Sequence, residues 1–329
     1  MRFSLALKIF ISFLASISYV CIALKGDSPT PVVIWHGMGD TCCDNNTMGW
    51  VASVIKSELP GAYVHSIRLA SSESADRNAG FFGNLNTQIN RVCDDLAEIE
   101  ELKNGVNMMG FSQGGLFLRA LIQRCPAIQA KTLVTYGSPH SGVSKIPECG
   151  SESDFMCNWM RQLASRGVYS WYIRDHVIQA QYFKDPVRID QYLQYNIFLP
   201  DINGDLAETN KDYKERILAL ENMVLIRFDE DNLISPSTSS WFGFIDADGN
   251  EVPLRNTTLY SEDRLGLQEL DKSGRLTFVS VEGKHMRIDE EILREMVSKY
   301  FVSSPSSSQR QRQRQRQVLK VQGEYPYFM

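Results

Sequence analysis

A mostly parallel β-sheet covered by helices on both faces is the architecture this 329-residue chain predicts, and three observations predict it. Short apolar, β-branched runs recur between glycine, proline and polar turns. Amphipathic stretches at helical spacing alternate with them, and strands alternating with helices call for parallel pairing under helical cover. The third is Gly110-Phe111-Ser112-Gln113-Gly114, set between an apolar run and a helical pattern, which reads as strand, sharp turn and helix.

Taken in order, Pro31–Trp35 is a strand that ends in His36-Gly37-Met38-Gly39-Asp40, a glycine-bearing loop. Trp50 to Leu59 repeats at helical spacing and stops at Pro60-Gly61, and Ala62 to Ile67 alternates as a strand does. Asn86 to Leu102 is an acidic amphipathic helix leading into the strand before Ser112. Lys131–Tyr136 is another strand, closed by Gly137. The alternation then breaks: from Cys149 to about Leu220 the chain is helical or irregular and rich in Trp, Tyr and Phe, as expected of a helical cap insertion with an apolar groove beneath it, or of ordinary helical core. Strands resume at Asn222–Phe228 and Leu276–Val281, and a final helix runs from Asp289 to Phe301.

The two ends differ from this body. Arg2 leads into an apolar run from Ile9 to Leu24, short of the roughly 20 residues a membrane span requires, so residues 1–24 read as a secretory signal peptide, with an uncleaved anchor as the alternative. No stable membrane span is expected once the leader is cleaved. Residues 303–329 hold a serine run and Gln-Arg repeats and are expected to be disordered. The first 25 residues carry +3 and the last 27 carry +4, so a net charge of −5 leaves −12 on residues 26–302. A domain so acidic argues against nucleic acid as a partner.

Beyond Cys21, six cysteines remain: Cys42, Cys43, Cys93, Cys125, Cys149 and Cys157. An oxidising compartment favours their pairing over free thiols. The spacing of Cys149 with Cys157 and of Cys93 with Cys125 suits local bridges, which would leave Cys42 with Cys43. Asn45-Asn46-Thr47 and Asn256-Thr257-Thr258 are acceptor sequences for N-glycosylation at Asn45 and Asn256.

Ser112 at such an elbow is a candidate nucleophile, because the strained turn lifts its hydroxyl clear and the small residues at 110, 114 and 115 let strand and helix approach. A serine hydroxyl needs a base, and the base an acid, and on the α/β-hydrolase fold they follow in the order Ser, Asp or Glu, His. Of five histidines only His285 lies beyond the late strand and its acidic turn. For the acid, Asp229, Glu230 and Asp231 stay open on spacing. The backbone N–H groups of Met38 and Gln113 are the oxyanion-hole candidates, whereas His36 reads as a residue that orders its turn. The chain has no His-Glu-x-x-His and no glycine-rich phosphate loop, and no metal or cofactor is expected.

From about Val32 to Val302 the chain resembles the palmitoyl-protein thioesterases of the lysosomal type. The match runs through Val33-Ile34-Trp35-His36-Gly37-Met38-Gly39-Asp40 with Cys42-Cys43, Met109 to Gly115, Gln123-Arg124-Cys125-Pro126, Trp241-Phe242-Gly243-Phe244, Thr258-Leu259-Tyr260, Asp263-Arg264-Leu265-Gly266-Leu267, and Glu282-Gly283 with His285. The resemblance implies an α/β-hydrolase domain over residues 26–302 with a cap at about 149–220. It implies Asp231 as the acid, disulfides Cys42–Cys43, Cys93–Cys125 and Cys149–Cys157, and a lipid groove at Ile178, Gln179, Phe183 and Leu233. Pro139 and Phe183 depart from the family pattern, where a polar residue and a tryptophan stand. The implied substrates are S-acylated proteins or peptides bearing a fatty acyl chain, hydrolysed in a lysosome, a vacuole or outside the cell. A lipase-like carboxylic ester hydrolase and a non-catalytic acyl-chain binder are the competing expectations.

Overall fold

Parallel strands buried on both faces are largely apolar runs, and the computed structural model, which describes residues 28–145 and 167–302, builds the inner strands of its sheet from such runs, with less buried strands at its two edges. In chain order the elements are β1 (Val32–Trp35), α1 (Met48–Glu58), β2 (Val64–Ser66), α2 (Glu73–Ala79), α3 (Leu85–Ala97), β3 (Val106–Phe111), α4 (Gln113–Arg124) and β4 (Ala130–Tyr136). They continue with α5 (Trp171–His176), α6 (Ile189–Tyr195), α7 (Leu199–Ile202), α8 (Lys211–Leu218), β5 (Asn222–Phe228), β6 (Phe244–Ile245), β7 (Glu251–Val252), α9 (Thr258–Ser261), α10 (Leu267–Lys272), β8 (Leu276–Val281) and α11 (Glu290–Tyr300). The expected leader, the Cys149–Cys157 pair and the 303–329 tail lie outside the described residues. Among those described, no helix is long and apolar enough to cross a membrane.

Six parallel strands lie in the order β2-β1-β3-β4-β5-β8, the α/β-hydrolase arrangement expected. Alternate side chains feed two cores. Trp35, Met108, Leu133 and Leu225 face α3, α4 and the segment around residues 177–202, while Ile34, Met109, Val134 and Ile226 face α1 and α11. Each such buried side chain contributes about 1.5–3 kcal/mol relative to exposure. Strand order turns back on itself between β1 and β3, and in open parallel sheets ligands bind at the carboxyl ends flanking that switch point.

The strands at 222–228 and 276–281 keep the boundaries expected of them, and the other strands and the main helices shift by one to a few residues. The acidic helix after Asn86 ends at Ala97, and Glu100–Leu102 form a separate 3-10 turn. The stretch expected as a cap divides. Tyr182, Tyr192 and Phe198 are core, whereas Trp171 and Tyr172 are exposed. At its end α8 buries Tyr213 and Ile217 and packs on α4, so it covers the sheet rather than the site. Arg119 ties this segment to α4: fully buried, its guanidinium donates to the carbonyls of Ile202 at 3.0 Å and His140 at 3.1 Å and to Asn203 Oδ1 at 2.6 Å, and it lies 5.0 Å from the Phe242 ring centroid. Among the described residues there are two disulfides, Cys42–Cys43 and Cys93–Cys125, the latter joining α3 to the end of α4.

Candidate active site

The strand–helix turn at Ser112 is tight enough to exclude side chains on either side of it. A Cβ on Gly110 would lie 2.6 Å from the Gly115 nitrogen, and one on Gly115 would meet Thr135 Cβ of β4 at 2.8 Å. Ser112 itself sits at φ 53° and ψ −127°, a region that costs a non-glycine residue about 1–3 kcal/mol and recurs at functional sites. The strain turns its side chain away from the strand and out over the sheet edge.

Phe228 and Val281 pair on the last rung of the β5–β8 ladder, and the loops leaving them run on side by side, with the Asp229 N–H on the Val281 carbonyl at 2.9 Å and the Glu230 N–H on the Gly283 carbonyl at 3.0 Å. Asp231 and His285 therefore arrive together. His285 Nδ1–H donates to Asp231 Oδ2 at 2.7 Å, and His285 Nε2 accepts from Ser112 Oγ at 2.9 Å. Asp231 is fixed in turn by the Leu233 and Ile234 N–H groups, at 3.0 and 2.9 Å on its other oxygen. Its neighbours are used elsewhere: Asp229 pairs with Arg227 at 2.7 Å and accepts from Ser280, and Glu230 is exposed. Of the three acids that spacing left open, Asp231 is the one the fold carries to the histidine.

The loop after β1 closes over Ser112, where a Cβ on Gly37 would lie 3.0 Å from Ser112 Cβ. Among the described residues neither the Met38 N–H nor the Gln113 N–H has a hydrogen-bond partner. Gln113 opens α4, so its N–H is one of the donors a helix start leaves unused, at the positive end of the helix dipole. Its side chain is locked: Nε2 donates to the Gly80 carbonyl at 2.9 Å, and Oε1 accepts from Gln179 Nε2 and Tyr182 Oη, both at 3.2 Å.

His36 is wholly buried beneath this loop, as expected of a residue that orders its turn. Its Nδ1–H donates to the Gly37 carbonyl at 2.8 Å and its Nε2 lies 3.4 Å from Asp76. Asp76 is the member of this set that sequence reasoning missed. Its carboxylate accepts from Thr41 Oγ1 at 3.0 Å and from the N–H groups of Cys42 at 2.9 Å and Leu69 at 2.6 Å. Burial pushes the Asp76 carboxyl up, but the His36 ring and the two N–H groups outweigh it and hold its pKa at about 2. The available signal was slight: Ser72 caps a short helix whose one buried residue is Asp76.

The four expected groove residues are placed as follows: Ile178, Gln179 and Phe183 are buried and Leu233 half-buried beside Asp231. Gln179 is held by the Gly80 carbonyl at 2.9 Å as well as by Gln113. A cavity of about 540 Å³ is lined by Ser112 and His285 among others, and none of the four groove residues lines it. Asn45 and Asn256 are both exposed.

A serine held at such an elbow, at the carboxyl edge of a parallel sheet, places the chain in the α/β-hydrolase class. Residues 31–285 match the family described as Palmitoyl protein thioesterase. The chain is 43% identical over 275 residues to palmitoyl-protein thioesterase 1 of Caenorhabditis elegans, covering 83% of this chain and 92% of that protein. It is 34% identical over 261 residues to palmitoyl-protein thioesterase 3 of Dictyostelium discoideum, covering 78% and 84%, and 29% identical over 286 residues to the lysosomal thioesterase PPT2 homolog of Drosophila melanogaster, covering 85% and 91%. Among solved structures it is similar to the RedJ thioesterase of Streptomyces coelicolor, with a TM-score of 0.42, 13% identity, and 83% and 86% of the two chains covered. The chain belongs to the palmitoyl protein thioesterase family.

Proposed function

We propose that this protein hydrolyses fatty acyl thioesters on the cysteines of proteins or peptides, with Ser112 as nucleophile, His285 as base and Asp231 as the acid that orients it. The observation that carries the reading is the unbroken series Ser112 Oγ to His285 Nε2 at 2.9 Å and His285 Nδ1 to Asp231 Oδ2 at 2.7 Å, in a chain of this family.

Ser112 Oγ attacks the thioester carbonyl while its proton passes to His285 Nε2. The carbonyl oxygen gains the negative charge and meets the Met38 and Gln113 N–H groups, each such donor being worth roughly 3 kcal/mol in the transition state. Collapse re-forms the carbonyl and breaks the carbon–sulfur bond, and the imidazolium returns the proton to sulfur. A cysteine thiol has a pKa near ~8.5, so its thiolate leaves readily. Water, deprotonated by His285, then attacks the acyl-serine, releasing the fatty acid and restoring the Ser112 hydroxyl.

The same reading takes residues 1–24 as a cleaved leader, residues 26–302 as the hydrolase domain and residues 303–329 as a tail outside it. Ile178, Phe183 and Leu233, with Gln179, form the acyl side of the site. Glycans on the exposed Asn45 and Asn256, together with the two disulfides, suit the secretory pathway and a lysosomal or vacuolar destination, in keeping with the name of the Drosophila relative. The test is hydrolysis of an S-palmitoyl-cysteine peptide beside its oxygen-ester analogue. Faster cleavage of the thioester is expected, and equal or faster cleavage of the oxygen ester would favour a lipase-like esterase.

A further inference from the structure

A thioester has two sides, and the expected acyl residues account for one of them. The cavity of about 540 Å³ beside Ser112 has an apolar wall of Met38, Met48, Trp50, Met286 and Ile288, is lined also by the charged Asp40, Asp44 and Arg77 and the exposed Asn46, and both Ser112 and His285 open into it. Its volume is that of a ligand pocket, and its walls come from the loop after β1, the start of α1 and the loop after β8.

We infer that this cavity is the subsite for the thiol side of the substrate, holding the peptide segment that adjoins the acylated cysteine. The inference rests on the proposed function and adds to it. The group that receives the proton from His285 must lie on the histidine's side of Ser112, and this cavity is bounded there by His285, Met286 and Ile288. Met286 is held at φ 63° directly after His285, a costly conformation that keeps the chain turned at this wall. Ile178 and Phe183 instead lie on the cap side, in the segment whose Gln179 bonds the Gln113 side chain. An acyl chain there and a cysteine here would straddle Ser112, with the carbonyl oxygen toward Met38 and Gln113.

The apolar part of the wall suits one kind of occupant, and Asp40, Asp44 and Arg77 add polar partners for a peptide backbone and its side chains. Met38, Met48 and Met286 are unbranched and re-pack around varied shapes, the property used where one surface must accept many sequences. Trp50 adds a flat apolar face. Such a surface suits peptides that share an acylated cysteine and differ in the residues beside it.

The test narrows the cavity without touching the hydrogen-bonded series. Asn46→Trp changes an exposed rim residue, which folding tolerates, and keeps Asn45 and Thr47 in place; Ile288→Trp fills the far wall. Each is assayed on an S-palmitoyl-cysteine peptide with bulky flanking residues and on S-palmitoyl-N-acetylcysteamine, whose leaving group is small, together with an acyl series from octanoyl to palmitoyl. The expected result is a loss of about ten-fold or more in kcat/KM on the peptide, chiefly through KM, with the small thioester within about two-fold and the chain-length order unchanged. A changed chain-length order with equal loss on both leaving groups would give the cavity to the acyl chain and overturn the inference, and so would full retention on both substrates. Wild-type protein that cleaves neither thioester would instead remove the proposed function, and the subsite with it.

Discussion

Phe228 and Val281 stand opposite each other at the end of the β5–β8 ladder, and that single register decides which acid meets the histidine. Three residues beyond one partner and four beyond the other, Asp231 and His285 close to 2.7 Å. A slip of one residue in either strand would reverse its faces and part them.

Replacing Ser112 or His285 by alanine is expected to cut kcat by about 10⁴–10⁶, and Asp231→Asn by about 10³–10⁴, with thermal midpoints close to wild type. Asp229→Asn, which alters a surface ion pair, is expected to leave kcat within about two-fold. Turnover measurements on the four purified variants check this, and a crippled Asp229 variant beside an active Asp231 variant would transfer the role.

Asp76 supplies a pH-dependent share of stability. Its folded pKa of about 2 lies below that of an exposed aspartate, so its contribution is fully present above about pH 4 and is lost as pH falls toward 2. Asp76→Asn is expected to cost about 2 kcal/mol near neutral pH, a deficit that closes as pH falls to 2. Denaturant unfolding of both proteins across that range measures it, and a gap that does not change with pH would refute the assignment.

Among the described residues no carboxylate is in hydrogen-bonding contact with the buried Arg119, and burial lowers its pKa to about 9. Arg119→Met keeps much of the volume but takes the donor from the His140 carbonyl and from Asn203 Oδ1, while the Ile202 carbonyl keeps Gln123 Nε2 at 2.7 Å, so a loss of about 2–4 kcal/mol is expected in equilibrium unfolding. Turnover per folded molecule should change less than stability, because Arg119 touches none of the three reacting residues.

Gly115→Ala tests the elbow's packing. The added methyl meets Thr135 and Ser138 of the neighbouring chain segment, and the backbone must move to admit it. Loss of about 3 kcal/mol or more, read as a lower unfolding midpoint, is expected together with a fall in kcat; an unchanged midpoint would mean that the close contact between α4 and β4 is relaxed in solution.

Much of this fold was legible because parallel strands leave plain traces. Val32–Trp35 and Asn222–Phe228 are largely apolar runs and Leu276–Val281 mixes apolar residues with Thr277 and Ser280 at the sheet edge, each with turn residues near its ends, and Gly110, Gly114 and Gly115 mark the elbow. Helix α2 was not legible: it turns no apolar stripe inward, and its buried side chain is the charged Asp76. The β6–β7 hairpin was also missed, although Asp248-Gly249 in its turn is a hairpin signal. The acid could not be separated from its neighbours by spacing, since Asp229, Glu230 and Asp231 are consecutive and only the pairing of two distant strands distinguishes them. The cavity beside Met38 was invisible for the same reason, being assembled from the loop after β1, the start of α1 and the loop after β8.

The most direct measurement of the central claim is mass spectrometry of protein mixed with an S-palmitoyl-cysteine peptide and quenched in acid within the first turnovers. A single palmitoyl group on the peptide containing Ser112, absent from the Ser112→Ala protein, is the predicted result. Turnover with no adduct on Ser112, or an adduct on another residue that persists in the Ser112→Ala protein, would contradict it.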